Sequence, residues 1–291
     1  MTPGHGRFGG GEVAPVSLEN ARVAVLPVEW ESAPSYGKGA GQGSRHILRA
    51  SAELEALDEI SFYPWADLPI HTLPLLRPPP DPRKAMDAIA RAAAAAWHPD
   101  RFLLTLGGDH SVTIGVLEAA AERWPDAGIL QIDAHLDLRD EWNGSRYNHA
   151  CVMRRAADMG FSFVQAGIRA IAREEMDFLG RNRMRPFFAH DIDPADDVWI
   201  SEIICALPPT IYISLDLDGL DPSVIPGTGT PEPDGLSFRQ VRALIREAGR
   251  RRRIIGADIT ELAKIPGTRA SEFTAARLAV KLILAGAAPG F

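Results

Sequence analysis

Short, almost unbroken apolar runs alternate along this chain with longer stretches of helical period. The runs are RVAVLPV (22–28), RFLLTL (101–106), GILQI (128–132), SFVQA (162–166), TIYISL (210–215) and RIIGADI (253–259). A strand with one wet face alternates apolar and polar residues, so a run with little alternation predicts a strand buried on both faces, as in a parallel sheet covered by helices. RPPPDPR (77–83) breaks the chain, and Asp81-Pro82 then reads as an N-cap with proline at the first helical position, which starts a helix through the alanine-rich run to Trp97. VTIGVLEAAAERW (112–124), SFRQVRALIREAG (237–249) and FTAARLAVKLIL (273–284) continue the alternation. The pattern predicts one α/β domain over 19–291 with a mostly parallel sheet, behind a flexible glycine-rich arm over 1–18.

Acids and histidines collect where the runs end. His110 follows the second run through Gly-Gly-Asp; Asp133, His135 and Asp137 follow the third; Asp216 and Asp218 follow the fifth; Glu261 follows the sixth. Open parallel sheets bind ligands beyond the carboxyl ends of their strands, so these groups are expected on one edge. Four aspartates crowded there would repel, and burying them unpaired would cost several kcal/mol or force protonation. Two divalent cations would balance four carboxylates, with neutral imidazoles completing the shells. A donor set rich in oxygen and free of cysteine favours manganese over zinc and leaves nickel, cobalt and iron open. Each motif has a plain structural reading as well: GGDH as a helix-capping turn, DLDGLDP as a strand end and turn. Together, at the ends of neighbouring strands, they exceed anything a core requires.

Composition narrows the partners. The formal charge is −7, which disfavours nucleic acid, and no run approaches the roughly 18 apolar residues of a membrane helix. The N-terminus lacks the layout of a signal peptide, and the two cysteines, Cys151 and Cys205, form no disulfide framework; both point to the cytoplasm. Arg250–Arg253 is placed at a helix C-terminus, where cations are favoured.

GGDHS (107–111), DAHLD (133–137) and SLDLDGLDP (214–222) resemble the three signatures of the ureohydrolase family, which holds arginase and agmatinase, and the short prokaryotic agmatinases in particular. The likeness continues through 26–48, YNHACVMRR (147–155), VQAGIR (164–169), PGTGTPEPDGLSF (226–238) and ITELAKIPG (259–267). It implies a three-layer α/β/α domain, usually in homotrimers or homohexamers, that releases urea from a small cationic guanidino compound. It also implies two manganese ions, one held by His110, Asp133, Asp137 and Asp216, the other by Asp133, His135, Asp216 and Asp218. His149 matches a proton-shuttling histidine, Glu261 a glutamate that grips the guanidinium, and Asp137 is placed to orient the attacking water. Asn148 stands where many agmatinases have serine and is expected beside the substrate; Ser44, Asp234 and Lys264 also depart from the usual pattern.

Agmatine, yielding putrescine and urea, is the expected substrate, because the loop 139–148 lacks the closely spaced Asn and Ser groups of arginases. Asp140, Glu141 or Glu31 would then hold its ammonium, whereas Arg139 or Arg146 would suit an acid tail such as that of 4-guanidinobutyrate. Other guanidino acids, guanidine and formimidoylglutamate are alternative substrates. A deacetylase-like enzyme with one zinc would not need both His110 and Asp218, a dinuclear phosphoesterase spaces its acids differently, and an inactive regulatory homologue would have lost a ligand.

Overall fold

A computed structural model describes residues 6–288. The elements in chain order are β1 (Val23–Pro27), α1 (Gly43–Ser51), β2 (Ile70–Thr72), α2 (Pro82–Ala96), β3 (Phe102–Leu106), α3 (Val112–Arg123), β4 (Gly128–Ile132) and α4 (Val152–Asp158). There follow β5 (Ser162–Ile168), α5 (Arg173–Asn182), β6 (Phe187–Phe188), α6 (Val198–Ala206), β7 (Thr210–Asp216), α7 (Phe238–Arg251), β8 (Arg253–Thr260) and α8 (Ala270–Ala287). The strands form one sheet in the order β2-β1-β3-β8-β7-β4-β5-β6, and every pairing in it is parallel.

All six apolar runs are strands, and the alternation of side chains across each strand feeds two cores. Val25, Leu104, Ile132, Ile213 and Ile259 face α1, α6, α7 and α8; Leu26, Leu103, Ile129, Tyr212 and Ile255 face α2, α3, α4 and α5. The result is the three-layer α/β/α arrangement. Helix starts follow local chemistry. Asp81 accepts a hydrogen bond from the Lys84 amide at 2.9 Å with Pro82 beside it, and Ser237 and Gln240 cap α7 reciprocally. Arg250 and Arg251 close α7, while Arg253 already belongs to β8.

The N-terminal arm is packed rather than loose over its described residues. Phe8 is 1% exposed and meets the Trp65 ring edge-on, Val13 is buried, and the Gly9 amide donates to Ser51 Oγ at 3.0 Å. Burying an aromatic ring and a valine offsets the glycine entropy that suggested mobility; residues 1–5 lie outside the described residues.

Candidate active site

The four strands that end in charged groups, β3, β8, β7 and β4, are consecutive neighbours at the centre of the sheet. Gly107 and Gly108 carry the chain from β3 into α3, and a Cβ on Gly108 would lie 1.6 Å from the Trp30 carbonyl oxygen, so only glycine fits. That close turn sets His110 over the sheet edge. Its backbone amide donates to Glu261 Oε1 at 2.8 Å, tying the end of β3 to the end of β8. Asp137 and Glu261 both adopt left-handed backbone, with φ of 53° and 63°. Non-glycine residues enter that region at an energetic cost, and here the turn aims a carboxylate at the shared edge.

His110 Nδ1 lies 2.8 Å from Asp137 Oδ2, 3.2 Å from Asp133 Oδ2 and 3.3 Å from Asp216 Oδ2. His135 Nδ1 lies 3.1 Å from Asp218 Oδ2 and 3.5 Å from Asp133 Oδ1. Two groups thus present ligand atoms at metal-binding separations: His110 with Asp133 and Asp216, and His135 with Asp133 and Asp218. Asp133 belongs to both. All six expected metal ligands therefore converge, and the four carboxylates are at most 5% exposed.

The electrostatics call for positive charge. Burial, then Asp218 and Asp133, push the Asp216 carboxyl well above its ordinary pKa; burial and Asp133 push Asp137 up to about 7. Burial also opposes ionisation of Asp133, but the two imidazoles beside it, His110 and His135, outweigh that and hold it low. The same carboxylates hold both imidazoles well above the usual histidine range against the effect of burial.

The donor set can be tested on His110. Ser214 Oγ donates to Asp258 Oδ1 at 2.9 Å, so its lone pair is free to accept the Nε2–H of His110, also at 2.9 Å. In the neutral ring that a cation among the carboxylates would favour, this leaves Nδ1 as the nitrogen with the lone pair. Nδ1 is fully buried and has no hydrogen-bond partner among the described residues, although three carboxylate oxygens surround it. A buried lone pair ringed by acids suits a cation better than a void, and the residues present fit the two metals that the family resemblance implies.

Beneath the cluster lies a polar support that sequence reasoning missed. Asp258 on β8 accepts from Thr113, Tyr212 and Ser214; Gln131 donates to Asp133 Oδ2 at 2.6 Å and accepts from Gln165 at 2.6 Å. The parallel register places Ser214 beside Asp258 and Gln131 beside Gln165. The available signal was a polar residue interrupting each apolar run.

A cavity of about 180 Å³ opens above the cluster, lined by Ser35, Asp109, Arg139, Trp142, His149, Thr230 and Glu261 as well as by ligands. His149 Nε2 is 2.8 Å from Ser35 Oγ, and burial lowers the pKa of its ring. Glu261 is half-buried, and the desolvation of its carboxyl, followed by Asp109, raises its pKa strongly. Asp109, also missed, braces the wall by accepting from the Ser32 amide at 2.8 Å and from Ser111.

Several residues expected beside the substrate do not line the cavity. Asn148 is not among the residues lining the cavity; its Oδ1 caps the next turn by accepting from the Ala150 amide at 3.0 Å. Asp140 binds Arg155 at 2.6 Å and Arg146 at 3.0 Å, and Glu31 accepts from the Gly39 amide at 2.9 Å. Neither they nor Glu141 and Arg146 line the cavity. Arg139 does, paired with Glu174 and stacked 4.0 Å over the Trp142 ring.

Residues 21–285 match the pattern of the arginase family. An N(1)-aminopropylagmatine ureohydrolase of Synechocystis sp. is 37% identical over 92% of this chain and 90% of its own length. An agmatinase of Pyrococcus horikoshii is 32% identical over 92% and 93%. The crystal structure of agmatine ureohydrolase of Thermoplasma volcanium superposes with a TM-score of 0.87 at 27% identity, covering 96% of this chain and 94% of that one.

Proposed function

The chain belongs to the arginase family, and from that premise we propose that it is a binuclear metal ureohydrolase acting on a guanidine with a cationic amine tail. The observation that carries the reading is the buried His110 Nδ1 among three carboxylate oxygens, with Asp133 common to two ligand groups. His110, Asp133, Asp137 and Asp216 would hold one divalent cation and Asp133, His135, Asp216 and Asp218 the other. Two such ions, manganese first, would supply a water acidic enough to attack the guanidine carbon near neutral pH.

The remaining roles fall to protein groups. Asp137 orients the attacking water through a hydrogen bond. Glu261, fixed by the His110 amide, pairs with the guanidinium and sets the angle of attack. The amine must be protonated to leave, and His149, on the cavity wall and hydrogen-bonded to Ser35, delivers that proton. The enzyme works in the cytoplasm as a homotrimer or homohexamer.

N(1)-aminopropylagmatine is the preferred substrate, because relatives bearing that activity in their names are 35–38% identical to this chain. Agmatine, the substrate expected from the sequence, is the second reading, supported by agmatinases at 27–32% identity. The test is kcat/KM for urea release from both compounds, arginine, 4-guanidinobutyrate and guanidine, at two bound manganese ions per chain and again with nickel. A preference for an acid-tailed compound would overturn the tail assignment; one metal per chain, or none, would overturn the chemistry.

A further inference from the structure

The cationic tail needs a binding partner, and the carboxylates expected to supply one are occupied elsewhere. Asp140 is held by Arg155 and Arg146, and Glu31 caps the Gly39 amide. Of the acids that do line the cavity, Asp109 is bound to Ser32 and Ser111, Glu261 to the His110 amide, and the rest belong to the ligand cluster. Among the non-acidic residues on the wall, Trp142 offers an indole.

Its position is built rather than incidental. Trp142 and Ser145 exchange both backbone hydrogen bonds, each 3.0 Å, across Asn143 and Gly144, whose φ values are 51° and 76°. Two successive left-handed residues make the tight turn that matches strand twist, and Asn-Gly is the pair that adopts it most readily. The turn presents the ring to the cavity. Arg139 lies against the ring, and Glu174 neutralises Arg139, which would otherwise repel a positively charged tail.

We propose that Trp142 is the specificity-determining residue for the substrate tail, binding its ammonium group through the π surface of the indole, while the Arg139–Glu174 pair braces the ring and masks the competing charge. This rests on the ureohydrolase reading and names how that site chooses its substrate. A cation against an indole face contributes about 0.5–2 kcal/mol, equivalent to about 2–30-fold in affinity.

The experiment compares ligands that differ only in tail charge. Urea release is measured for agmatine and for butylguanidine, its uncharged-tail analogue, and calorimetric affinity for putrescine and for butylamine, which needs no turnover. In Trp142→Leu the agmatine/butylguanidine ratio of kcat/KM falls about 2–30-fold, mostly through KM, and the putrescine/butylamine affinity ratio falls in parallel. Trp142→Phe, which keeps a π face, retains most of both ratios. Glu174→Gln, which unmasks Arg139, lowers both ratios and raises kcat/KM for 4-guanidinobutyrate. Equal losses for both members of each pair would overturn the proposal and make Trp142 a packing residue. Unchanged ratios would overturn it as well. If the wild type released urea from no guanidine, the ureohydrolase reading would fail while the amine-affinity ratios still decided the role of Trp142.

Discussion

Ser214→Ala isolates the bond that orients His110, a proposed metal ligand. The substitution removes one hydroxyl from a fully buried strand position and leaves the backbone and Cβ in place. Two groups lose a partner: His110 Nε2 and Asp258 Oδ1, each 2.9 Å from that oxygen. Asp258 still accepts from Thr113 and Tyr212, but Nε2 is left with no protein partner to fix the ring's tautomer and tilt. An unsatisfied buried donor costs about 1–3 kcal/mol, and loss of an outer partner of a ligating histidine lowers metal affinity about 10–100-fold. The His110 group should therefore weaken by that factor, and the His135 group by much less. Manganese titration against a competing chelator, resolving two binding steps, measures both. Tyr212→Phe is the control, since it removes a different donor to Asp258 and leaves the Ser214 bridge; its affinities should stay within about threefold of wild type. Wild-type affinity in Ser214→Ala would refute the assignment of the relay, and an equal loss in both steps would show a general loosening of the edge.

His149→Ala should retain both metals and lower kcat about 100-fold, the contribution of a positioned general acid, in steady-state assays paired with metal analysis; full activity would move the proton to another group. Far from the site, Lys281 on α8 contacts Asp58 and Glu59 with both Lys281 and Asp58 buried, and Asp58 is shifted down to about 2: burial resists its ionisation, but the Lys281 and Ser61 hydrogen bonds prevail. A lowered folded-state pKa gives stability that is present above the ordinary carboxylate pKa of 3.8 and lost as pH falls toward 2. The shift corresponds to about 2 kcal/mol, and Asp58→Asn should cost about 3 kcal/mol near neutrality because it strips a buried ammonium of one partner. Denaturant titration should show the gap between wild type and variant narrowing below about pH 4; a gap that stayed constant would exclude this pair as its source.

The strands were legible because central parallel strands are buried on both faces and leave unbroken apolar runs. β2 and β6, three and two residues long at opposite edges of the sheet, are too short to show any period. α4, α5 and α6 fall between the runs and were not expected as helices, although Glu175 in the first turn of α5 accepts from the Ala172 amide as an N-terminal signal. At the site, the six metal-capable residues could be read because each follows a run directly. The meeting of Ser35 with His149, 114 residues apart, depends on loop paths that no local pattern encodes. Asp140 and Asn148, expected beside the substrate, stand off the cavity for a related reason. Sequence neighbours of a motif share its loop, but Arg155 and the Ala150 amide compete for those side chains and hold them away from the cavity wall.

The order of strands also bears on how the protein is made. β3 and β4 are separated in the finished sheet by β8 and β7, the last two strands to be synthesised. A chain emerging from the ribosome can pair β1 with β2 and β3, and β4 with β5 and β6, but these two blocks have no direct edge in common. Each keeps an open strand edge until β7 and β8 arrive and fill the gap between them. Exposed edges of that kind invite pairing with other chains, so a transcript truncated before residue 210 would yield an aggregation-prone product rather than a smaller working enzyme. The proposed ligands divide along the same line, His110, Asp133, His135 and Asp137 before the gap is filled, Asp216 at the end of β7 and Asp218 in the turn after it. A nascent chain therefore carries four of the six proposed ligands before the last two, Asp216 and Asp218, are made in the final third of translation.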